Sequence, residues 1–401
     1  MKVLLVNKFF FMKGGAETVF FQERDFLKAS GVQIVDFSMQ HEKNWQTEYS
    51  DFFVENVDYH QGHGLLSSLK TAWRFIHNSE ACTKIKALIE QEKPDIVHFH
   101  NIYHQLTPSV IKVAKSLGCK TVLTAHDTKI ACPNYNMYLN GKACEACLDG
   151  GVWNAFKNRC QEGSAFKSAL LSLEANYQEL TGNYRALDVI ISPSEFLANI
   201  IRRKLPNTRI EVIVNGIDEN VDRSDVGDDG YFLFLGRLSR EKGVATMSSA
   251  YEMSAKKLPL KVVGDGPLYE ELKKTCPSIE FLGFQTGDTL HKLIKRSSAV
   301  IVPSEWYENC SMSVLEALSY GKPVIGSRIG GIPEQVRDGV EGLLFEAANP
   351  TSLAEAMDAF AEDAVRAVDL GINARKRLES KYSMSRHQQS LLDLYHELII
   401  E

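Results

Sequence analysis

The 401-residue sequence lacks the features that mark several specialised classes of protein. No apolar run approaches the ~20 residues that a membrane-spanning helix needs, and there is no internal repeat and no low-complexity tract. The amino terminus, MKVLLVNKFF, has a short apolar run and no small-residue cleavage site, which favours a strand over a signal peptide. We therefore expect a globular cytoplasmic protein, in which clustered cysteines are more often metal ligands than disulfides.

The length exceeds that of one ordinary domain and suits two, and the charge differs between the halves. Residues 1–210 carry 24 Lys and Arg against 21 Asp and Glu, whereas the remainder carries 21 against 30. Two interpretations stay open: unrelated solvated surfaces, or a first half that meets an anionic membrane surface or a phosphorylated acceptor. No nucleic-acid partner is expected. The cations that would form an anion-binding surface are Lys157, Arg159, Lys167, Arg202, Arg203 and Lys204.

Short β-rich runs alternate with longer helical patterns along the whole chain. The runs of the first half are KVLLV, VQIVDFS, DIVHFH, KTVLTAH, DVIISPS and IEVIVNG. Those of the second half are YFLFLG, LKVVGDG, IEFLGF, AVIVPS, KPVIGS and GLLF. Continuous apolar runs separated by helices predict parallel strands buried on both faces, and hence two doubly wound α/β sheets.

The pattern divides the chain into a predicted first domain, residues 1–210, and a second domain, residues 211–384. The polar stretch 215–230 is rich in Asp and Gly and is the best candidate for a linker. Residues 385–401 have the pattern of an amphipathic helix. Because ligands of open α/β sheets bind beyond the carboxyl ends of the strands, the loops at those ends predict a cleft between the two domains.

Glycines and charged residues follow several of the predicted strands. Gly14 and Gly15 open a helix, so the backbone could approach a phosphate closely, although paired glycines are also common in turns. Arg237 and Lys242 suit a diphosphate, or else they belong to an ordinary solvated basic loop. His126 could donate to a hydroxyl or polarise a leaving group, or it could simply be hydrogen-bonded by its neighbours.

Two glutamates, Glu308 and Glu316, lie in the stretch SEWYENCSMSVLEALSYG, which otherwise has the composition of a core. The helical spacing begins near Ser311, so Glu308 is predicted on the loop before the helix and Glu316 more than one turn inside it. The amides of residues 309–311 would then be free donors at the positive end of the helix dipole, which attracts a phosphate. Carboxylates on each side could accept hydroxyls, so the spacing suits a nucleotide sugar. Ordinary acids near a helix start are the alternative.

These motifs, taken together and in order, resemble the retaining family 4 glycosyltransferases of the GT-B fold, and the resemblance covers nearly the whole chain. It implies two Rossmann-like domains facing each other across a cleft, a donor bound mainly by the second domain, and a C-terminal helix that returns to the first. The motifs are Gly14-Gly15, His126-Asp127, NGID at 215–218, Arg237 with Lys242, GDGP at 264–267, FLGF at 281–284 and the pair Glu308 and Glu316.

The resemblance implies roles for the charged residues of the second domain. Arg237 and Lys242 would hold the donor diphosphate, Glu308 would contact the hydroxyls of the transferred sugar, and Glu316 would contact the ribose. No divalent metal would be needed, because the cations and the helix end neutralise the leaving group. The configuration at the anomeric carbon would be retained by attack on the face from which the phosphate leaves.

The resemblance also implies donor contacts from backbone and uncharged groups. Gly15 and the amides of 309–311 would meet the β-phosphate, and His126 would lie at the sugar on the acceptor side. Gly264 and Phe284 would flank the base. Many family members carry Phe-Gly where this chain has Cys310-Ser311, and a side chain at 311 would narrow the approach of backbone to phosphate. The residues of that helix start are Asn309, Cys310 and Ser311.

Four of the eight cysteines have the spacing C-x11-C-x2-C-x12-C in a Gly- and Asn-rich insert, residues 132–160. C-x2-C beside a turn is typical of zinc sites, and two flanking cysteines complete a tetrahedral S4 set. Structural zinc is the leading interpretation, with reduced thiols, a redox disulfide or an iron–sulfur cluster as alternatives. Four thiolates leave no open position for catalysis, so the insert is expected to shape the acceptor side of the cleft. The cysteines are Cys132, Cys144, Cys147 and Cys160.

The leading hypothesis is a glycosyltransferase that moves a hexose-type sugar from a UDP- or GDP-sugar to a saccharide acceptor. By analogy, the acceptor is expected to be lipid-linked, to belong to a surface polysaccharide pathway and to be met at the inner face of the membrane. One alternative is a nucleotide-sugar epimerase or phosphorylase on the same fold, although no lysine set suits the pyridoxal phosphate of a phosphorylase. The other is a zinc-stabilised nucleotide-binding scaffold without turnover, against which intact Glu308, Arg237 and Lys242 argue.

Overall fold

The computed structural model describes residues 1–56 and 65–400, and it contains two six-stranded parallel sheets. The first is built from β1 (Lys2–Val6), β2 (Gln33–Phe37), β3 (Ile96–Phe99), β4 (Lys120–Thr124), β7 (Val189–Ser192) and β8 (Ile210–Val212), in the order β2-β1-β3-β4-β7-β8. Between β4 and β7 a small antiparallel hairpin contains β5 (Tyr138–Leu139) and β6 (Lys142–Ala143).

The second sheet has the same doubly wound form. It is built from β9 (Phe232–Leu235), β10 (Leu260–Val263), β11 (Glu280–Gly283), β12 (Ala299–Val302), β13 (Val324–Ser327) and β14 (Gly342–Phe345), in the order β11-β10-β9-β12-β13-β14. All twelve runs predicted from the sequence form strands of the two sheets, and the predicted pair of Rossmann-like sheets is confirmed. The hairpin was not predicted, because two-residue strands carry no periodicity.

Helices cover both faces of each sheet. Within residues 1–56 and 65–400, no helix combines the length and the apolar composition needed to cross a membrane. The helices are α1 (Gly15–Ala29), α2 (Leu65–Ile76), α3 (Ser79–Glu92), α4 (Ser109–Ser116), α5 (Ala146–Gly150), α6 (Asn154–Lys157), α7 (Ala165–Thr181), α8 (Glu195–Lys204), α9 (Val244–Met253), α10 (Tyr269–Thr275), α11 (Gly287–Arg296), α12 (Met312–Ser319), α13 (Ile332–Gln335), α14 (Pro350–Glu362), α15 (Ala364–Arg377) and α16 (Met384–Ile400).

Each sheet separates two hydrophobic clusters, which explains why its strands are mostly apolar. In β1, Leu4 and Val6 pack into one cluster, whereas Val3 and Leu5 pack into the cluster on the opposite face. In β9 the same alternation divides the strand between two further clusters. Because successive side chains of a strand point to opposite faces, burial on both faces requires a continuous apolar run.

The last helix, α16, packs on the first sheet although it follows the second sheet in the sequence. It covers nearly the stretch predicted to be helical, 385–401, whose last residue lies outside the described part of the chain. The chain enters and leaves the second sheet side by side, because Ile217 and Ser383 form a parallel bridge. The exact domain limits, 1–210 and 211–384, stay predictions. The α16 residues buried with the core of the first sheet are Leu391, Leu394, Tyr395 and Leu398.

Candidate active site

Loops at the carboxyl ends of strands from both sheets enclose a cleft of about 300 Å³. The first sheet contributes the loops after β1 and β4, and the second contributes those after β9 and β12, as expected for open α/β sheets. Predicted site residues that lie far apart in the sequence thus surround one cavity. The predicted residues that line it are Gly15, His126, Lys242, Glu308, Asn309, Cys310 and Ser311.

The carboxylate of Glu308 lies in the cleft among three donors. Its Oε1 atom accepts hydrogen bonds from Lys242 Nζ (2.6 Å), Ser304 Oγ (2.8 Å) and Trp306 Nε1 (2.9 Å). Burial favours the protonated form, but Lys242 and the other donors outweigh it, so the pKa of Glu308 lies below its ordinary value. Glu308 is therefore an anion. Because these bonds use Oε1, Oε2 can accept from a ligand hydroxyl.

Lys242 reaches this carboxylate from the loop after β9, where it ends a one-turn 3₁₀ helix. Its Nζ atom also lies 5.2 Å from the centre of the Trp306 ring. An ammonium on a flexible stem can move from a carboxylate to a ligand phosphate without a change in the backbone. Arg237, the second predicted cation, is exposed on the same loop and pairs with no acid in the described ranges.

The start of α12 provides fewer free amides than the sequence suggested. The helix begins at Met312, one residue from the predicted position, and the amides of Asn309 and Cys310 have no acceptor within the described chain. The prediction that the Ser311 amide is also free was wrong, since it donates to Gln335 Oε1 (2.8 Å). Gln335 Nε2 donates back to the Ser311 carbonyl (3.0 Å), so α13 braces this helix start. Two free amides remain at the positive end of the dipole.

The side chain of Asn309 joins the second sheet to the first. Its Oδ1 accepts from Ser194 Oγ (2.6 Å), and its Nδ2 donates to the carbonyls of Ala125 (3.2 Å) and His126 (3.3 Å). Close by, a Cβ atom placed on Gly15 would lie 3.7 Å from the Met312 side chain. The starts of α1 and α12 are therefore neighbours across the cleft, and their amides can donate hydrogen bonds to the same anion.

His126 belongs to a buried network that runs from the cleft to α16. Its Nε2 lies 2.9 Å from His100 Nδ1, and burial lowers the pKa of His126 to about 4, so the ring is neutral near pH 7. Glu23 lies behind, with Oε2 3.5 Å from His100 Nε2 and Oε1 3.1 Å from His387 Nε2. Burial alone would raise the pKa of Glu23. The hydrogen bond from His387 and its charge outweigh burial, so the pKa of Glu23 lies below its ordinary value.

The sequence pattern did not predict this network. The signal was available, because His98 lies inside the buried strand β3 and His100 directly follows it, and both are buried where apolar residues are expected. His98 Nδ1 lies 2.6 Å from the hydroxyl of Tyr395 in α16, and its Nε2 lies 2.8 Å from Thr124 Oγ1. Buried polar side chains need partners, so a histidine inside a central strand and another directly after it indicate a network, which the strand pattern alone does not locate.

Arg237 and four other predicted residues do not line the cleft. Gly14 has an extended backbone and immediately precedes α1, and Phe284 is 75% exposed after β11. Glu316 is half-buried inside α12, more than one turn from its start. Gly264 follows β10 with φ +138°, and a Cβ atom there would lie 1.9 Å from the Gly236 carbonyl oxygen. Gly264 therefore has a packing role, and the nucleotide contacts of these residues stay predictions.

A larger and more open groove, about 810 Å³, lies away from the cleft. It is lined by residues between Gln40 and Phe53, among them Trp45, Glu48 and Asp51. Among the described residues, no lysine or arginine lines it, and two acids do. We place the candidate active site in the smaller cleft because a lysine there meets free helix-start amides, the groups that bind a phosphate.

The four cysteines of the insert line one small cavity, about 10 Å³, beside Met137 and Leu148. All four are free thiols in the structure. Burial raises the pKa of Cys147 to about 12 and that of Cys160 to about 11, so unbound thiols here are neutral. The fold therefore brings together the residues of the predicted metal site.

The basic surface predicted for the first half is largely neutralised. Four of its six cations pair with nearby acids, which leaves Lys157 and Arg159 as the members without an ion pair in the described ranges. Paired charges attract an anionic surface less than the sequence count indicates. The pairs are Lys167 with Glu162, Arg202 with Glu195, Arg203 with Glu145 and Asp149, and Lys204 with Glu179.

We predict that Glu316→Gln stabilises the ligand-free protein increasingly as the pH rises from 5 to 8. Burial raises the pKa of Glu316 to about 7, so between its unfolded pKa and pH 7 the folded state holds a proton that the unfolded state has lost. Its contribution to the free energy of unfolding therefore falls as pH rises through this window. Denaturant midpoints at pH 5, 6, 7 and 8 measure the effect, with the exposed Glu355→Gln as control. Parallel profiles for wild type and Glu316→Gln would contradict it.

Comparison with known proteins gives a consistent assignment. The profile for Glycosyltransferase Family 4 matches residues 13–221, and that for Glycosyl transferases group 1 matches residues 217–377. An uncharacterized glycosyltransferase of Methanocaldococcus jannaschii is 26% identical over 358 residues, which cover 88% of this chain and 87% of that protein. The lipopolysaccharide 1,2-N-acetylglucosaminetransferase of Salmonella typhimurium is 29% identical over 227 residues, 48% of this chain and 58% of that protein.

Solved structures show the same architecture. Anabaena HepE, crystallised in complex with UDP, superposes with a TM-score of 0.64 at 17% identity, over 99% of this chain and 100% of that one. At this identity the likeness establishes the GT-B fold alone. The first family profile covers more than half of the 401 residues. The chain therefore belongs to glycosyltransferase family 4.

Proposed function

We propose that the protein transfers a sugar from a UDP- or GDP-sugar to a saccharide acceptor, with retention of configuration and without a divalent metal. The observation that carries this proposal is the pair of Lys242 and Glu308 at the start of α12, opposite Gly15 and His126. A cation and free amides suit a diphosphate, and a buried carboxylate beside them suits sugar hydroxyls. The cleft offers both within one cavity.

The donor diphosphate would occupy the space between the starts of α12 and α1. Lys242 would leave Glu308 and pair with a phosphate, and the amides of Asn309 and Cys310 would donate to the same group. Arg237 is exposed on the same loop as Lys242 and could supply a second, bidentate contact. The similar protein HepE was crystallised with UDP, which supports a nucleoside diphosphate as ligand here. Glu316 would accept from the ribose, with Gly264 and Phe284 beside the base.

The reaction forms a bond from the acceptor oxygen to the anomeric carbon and breaks the bond from that carbon to the donor phosphate. The acceptor proton passes to the departing phosphate, so no protein base is required. Lys242 and the two amides stabilise the negative charge that develops on the diphosphate, which replaces the role of a metal ion. Glu308 would hold the sugar through its hydroxyls, and neutral His126 would donate to or accept from the sugar on the acceptor side.

The acceptor is proposed to be lipid-linked and reached from a membrane surface. The similarity to a lipopolysaccharide transferase supports a saccharide of this kind. A second support is a stripe on α7, where Phe166, Leu173 and Leu180 are 75%, 46% and 79% exposed. Their seven-residue spacing places them on one helix face, and the unpaired Lys157 and Arg159 lie close to this helix in sequence. Apolar side chains beside cations suit the interface of an anionic bilayer.

The proposal is tested by a donor screen with the full-length protein. UDP- and GDP-sugars are incubated without acceptor in resin-treated, metal-free buffer, and the release of free nucleotide is followed. We expect slow release from one donor, unchanged by added Mg²⁺ and lowered at least about 100-fold in Glu308→Gln. The exposed Glu270→Gln should behave as wild type. Release that requires a divalent metal would contradict the metal-free chemistry. No release and no thermal stabilisation by any nucleotide would favour a non-catalytic scaffold.

The membrane contact predicts binding to vesicles that contain anionic lipid. Replacing Phe166, Leu173 and Leu180 together by serine should abolish cosedimentation with phosphatidylglycerol vesicles, since each apolar contact with the bilayer is lost. A matched control is the triple serine variant of the exposed stripe on α15, Val365, Val368 and Ile372. That variant should bind as wild type. If the α7 variant binds vesicles as well as wild type does, α7 is not the membrane contact. Loss of binding in the α15 variant alone would place the contact on α15 instead.

A further inference from the structure

The insert folds in a way that its own hydrophobic core does not explain. Its regular elements are the two-residue strands β5 and β6 and the short helices α5 and α6. Its non-glycine residues with left-handed backbones, at φ values between 45° and 52°, are Tyr135, Met137, Asn140 and Arg159. Such residues are strained unless their surroundings fix them, and a loop-rich unit of this size usually needs a cross-link.

The four thiols lie where a cross-link would act. Cys132 precedes the hairpin, Cys144 follows it, Cys147 lies in α5, and Cys160 follows α6, so the four positions join every element of the insert. All four line the same small cavity. A bond network centred there would fix the hairpin to both helices at once.

We propose that these four cysteines bind one structural zinc ion, and that the ion holds the insert against the loop that carries Glu308. Four thiolates satisfy the tetrahedral preference of zinc and leave no position for substrate, so the site is separate from the chemistry of the cleft. A disulfide would link only two of the four elements. An iron–sulfur cluster uses the same ligands but brings inorganic sulfide, which the test below detects.

Metal binding would draw the sulfurs together. Zn–S bonds of about 2.3 Å place tetrahedral sulfurs about 3.8 Å apart. Among the described residues, the one set of three potential metal-ligating atoms that lie within 4.8 Å of one another comes from Glu23, His98 and His100. No three sulfurs of the insert lie that close together, so they are more widely spaced than in a zinc site. His98 Nδ1 in that group contacts the Tyr395 hydroxyl. The insert would therefore tighten around the ion.

The insert touches the donor loop through residues that lie between the cysteines. The Tyr138 hydroxyl donates to Glu305 Oε2 (3.1 Å), and Glu145 Oε1 accepts from the Tyr307 hydroxyl (2.9 Å). Glu305 and Tyr307 belong to the loop that carries Glu308, and Glu305 also accepts from Thr246 Oγ1 (2.6 Å). Tyr135 of the insert lines the cleft itself. A metal-held insert would thus support the position of the catalytic carboxylate.

The first test is the metal content of the full-length protein, purified without chelators and measured by mass spectrometry. We expect about one equivalent of zinc, lost in the double variant Cys144→Ser/Cys147→Ser and kept in Cys276→Ser, a half-buried cysteine at the end of α10. Less than about a tenth of an equivalent in wild type would overturn the proposal. So would iron with acid-labile sulfide in place of zinc.

Two further measurements on wild type keep the test independent of whether the double variant folds. Denaturation with a chelator and without reductant should expose eight titratable thiols, because metal-bound cysteines are not oxidised. Six thiols would indicate a disulfide and overturn the proposal. Cobalt incorporated in place of zinc should give the charge-transfer and visible bands of a tetrahedral thiolate site. Their absence in cobalt-loaded protein would contradict four sulfur ligands.

The second test concerns the contact with the donor loop, and its activity readout rests on the proposed function. Tyr138→Phe removes one hydroxyl that reaches Glu305. We expect the zinc content to be unchanged and KM for the donor sugar to rise several-fold, with Tyr49→Phe in the first domain as control. An unchanged KM would overturn the supporting role and leave the zinc site standing. Because zinc is measured without substrate, failure of the proposed function would not be mistaken for failure of the metal site.

Discussion

The ion pair between Lys242 and Glu308 is the interaction on which the rest of the site depends. Lys242 Nζ lies 2.6 Å from Glu308 Oε1, and the two residues belong to different loops of the second sheet. The two other donors to Glu308 come from the loop that carries Glu308. A buried carboxylate needs such partners, because an unpaired charge in this position would be costly. In the proposed function the same pair would bind the donor, since a ligand phosphate would pair with the lysine while ligand hydroxyls would donate to the carboxylate. The resting protein thus holds both groups charged and in place.

The two sheets are joined at the point where this chemistry would occur. Asn309 bonds to three groups of the first sheet, and Glu334 accepts the backbone amides of Glu195 (2.9 Å) and Phe196 (2.5 Å). Farther from the cleft, α16 returns to the first sheet and bonds to the network behind His126. The relative position of the two halves is therefore fixed by the groups that flank the candidate donor site. Contacts of the cysteine insert with the loop of Glu308 extend this arrangement to the outer edge.

The sequence predicted the parts of the structure that depend on local pattern. All twelve sheet strands were found because burial on both faces demands continuous apolar runs, and the start of α12 was located because helical spacing begins there. It did not predict that Gln335 would occupy the Ser311 amide, or that Glu23 would bond to His387. Those partners are separated by 24 and 364 residues, so tertiary packing alone brings them together. Likewise, Arg203 and Lys204 of the basic surface pair with acids that lie far from them in the sequence.

The central claim, that Lys242 serves the donor diphosphate and is held in reserve by Glu308, is tested most directly by calorimetric titration with UDP and GDP. A nucleoside diphosphate lacks the transferred sugar, so Glu308 can only compete with it for the lysine and repel its negative charge. The account predicts that Glu308→Gln binds the preferred diphosphate several-fold more tightly than wild type, while Lys242→Met binds it at least about tenfold more weakly. Weaker binding by Glu308→Gln, similar to that of Lys242→Met, would contradict the account.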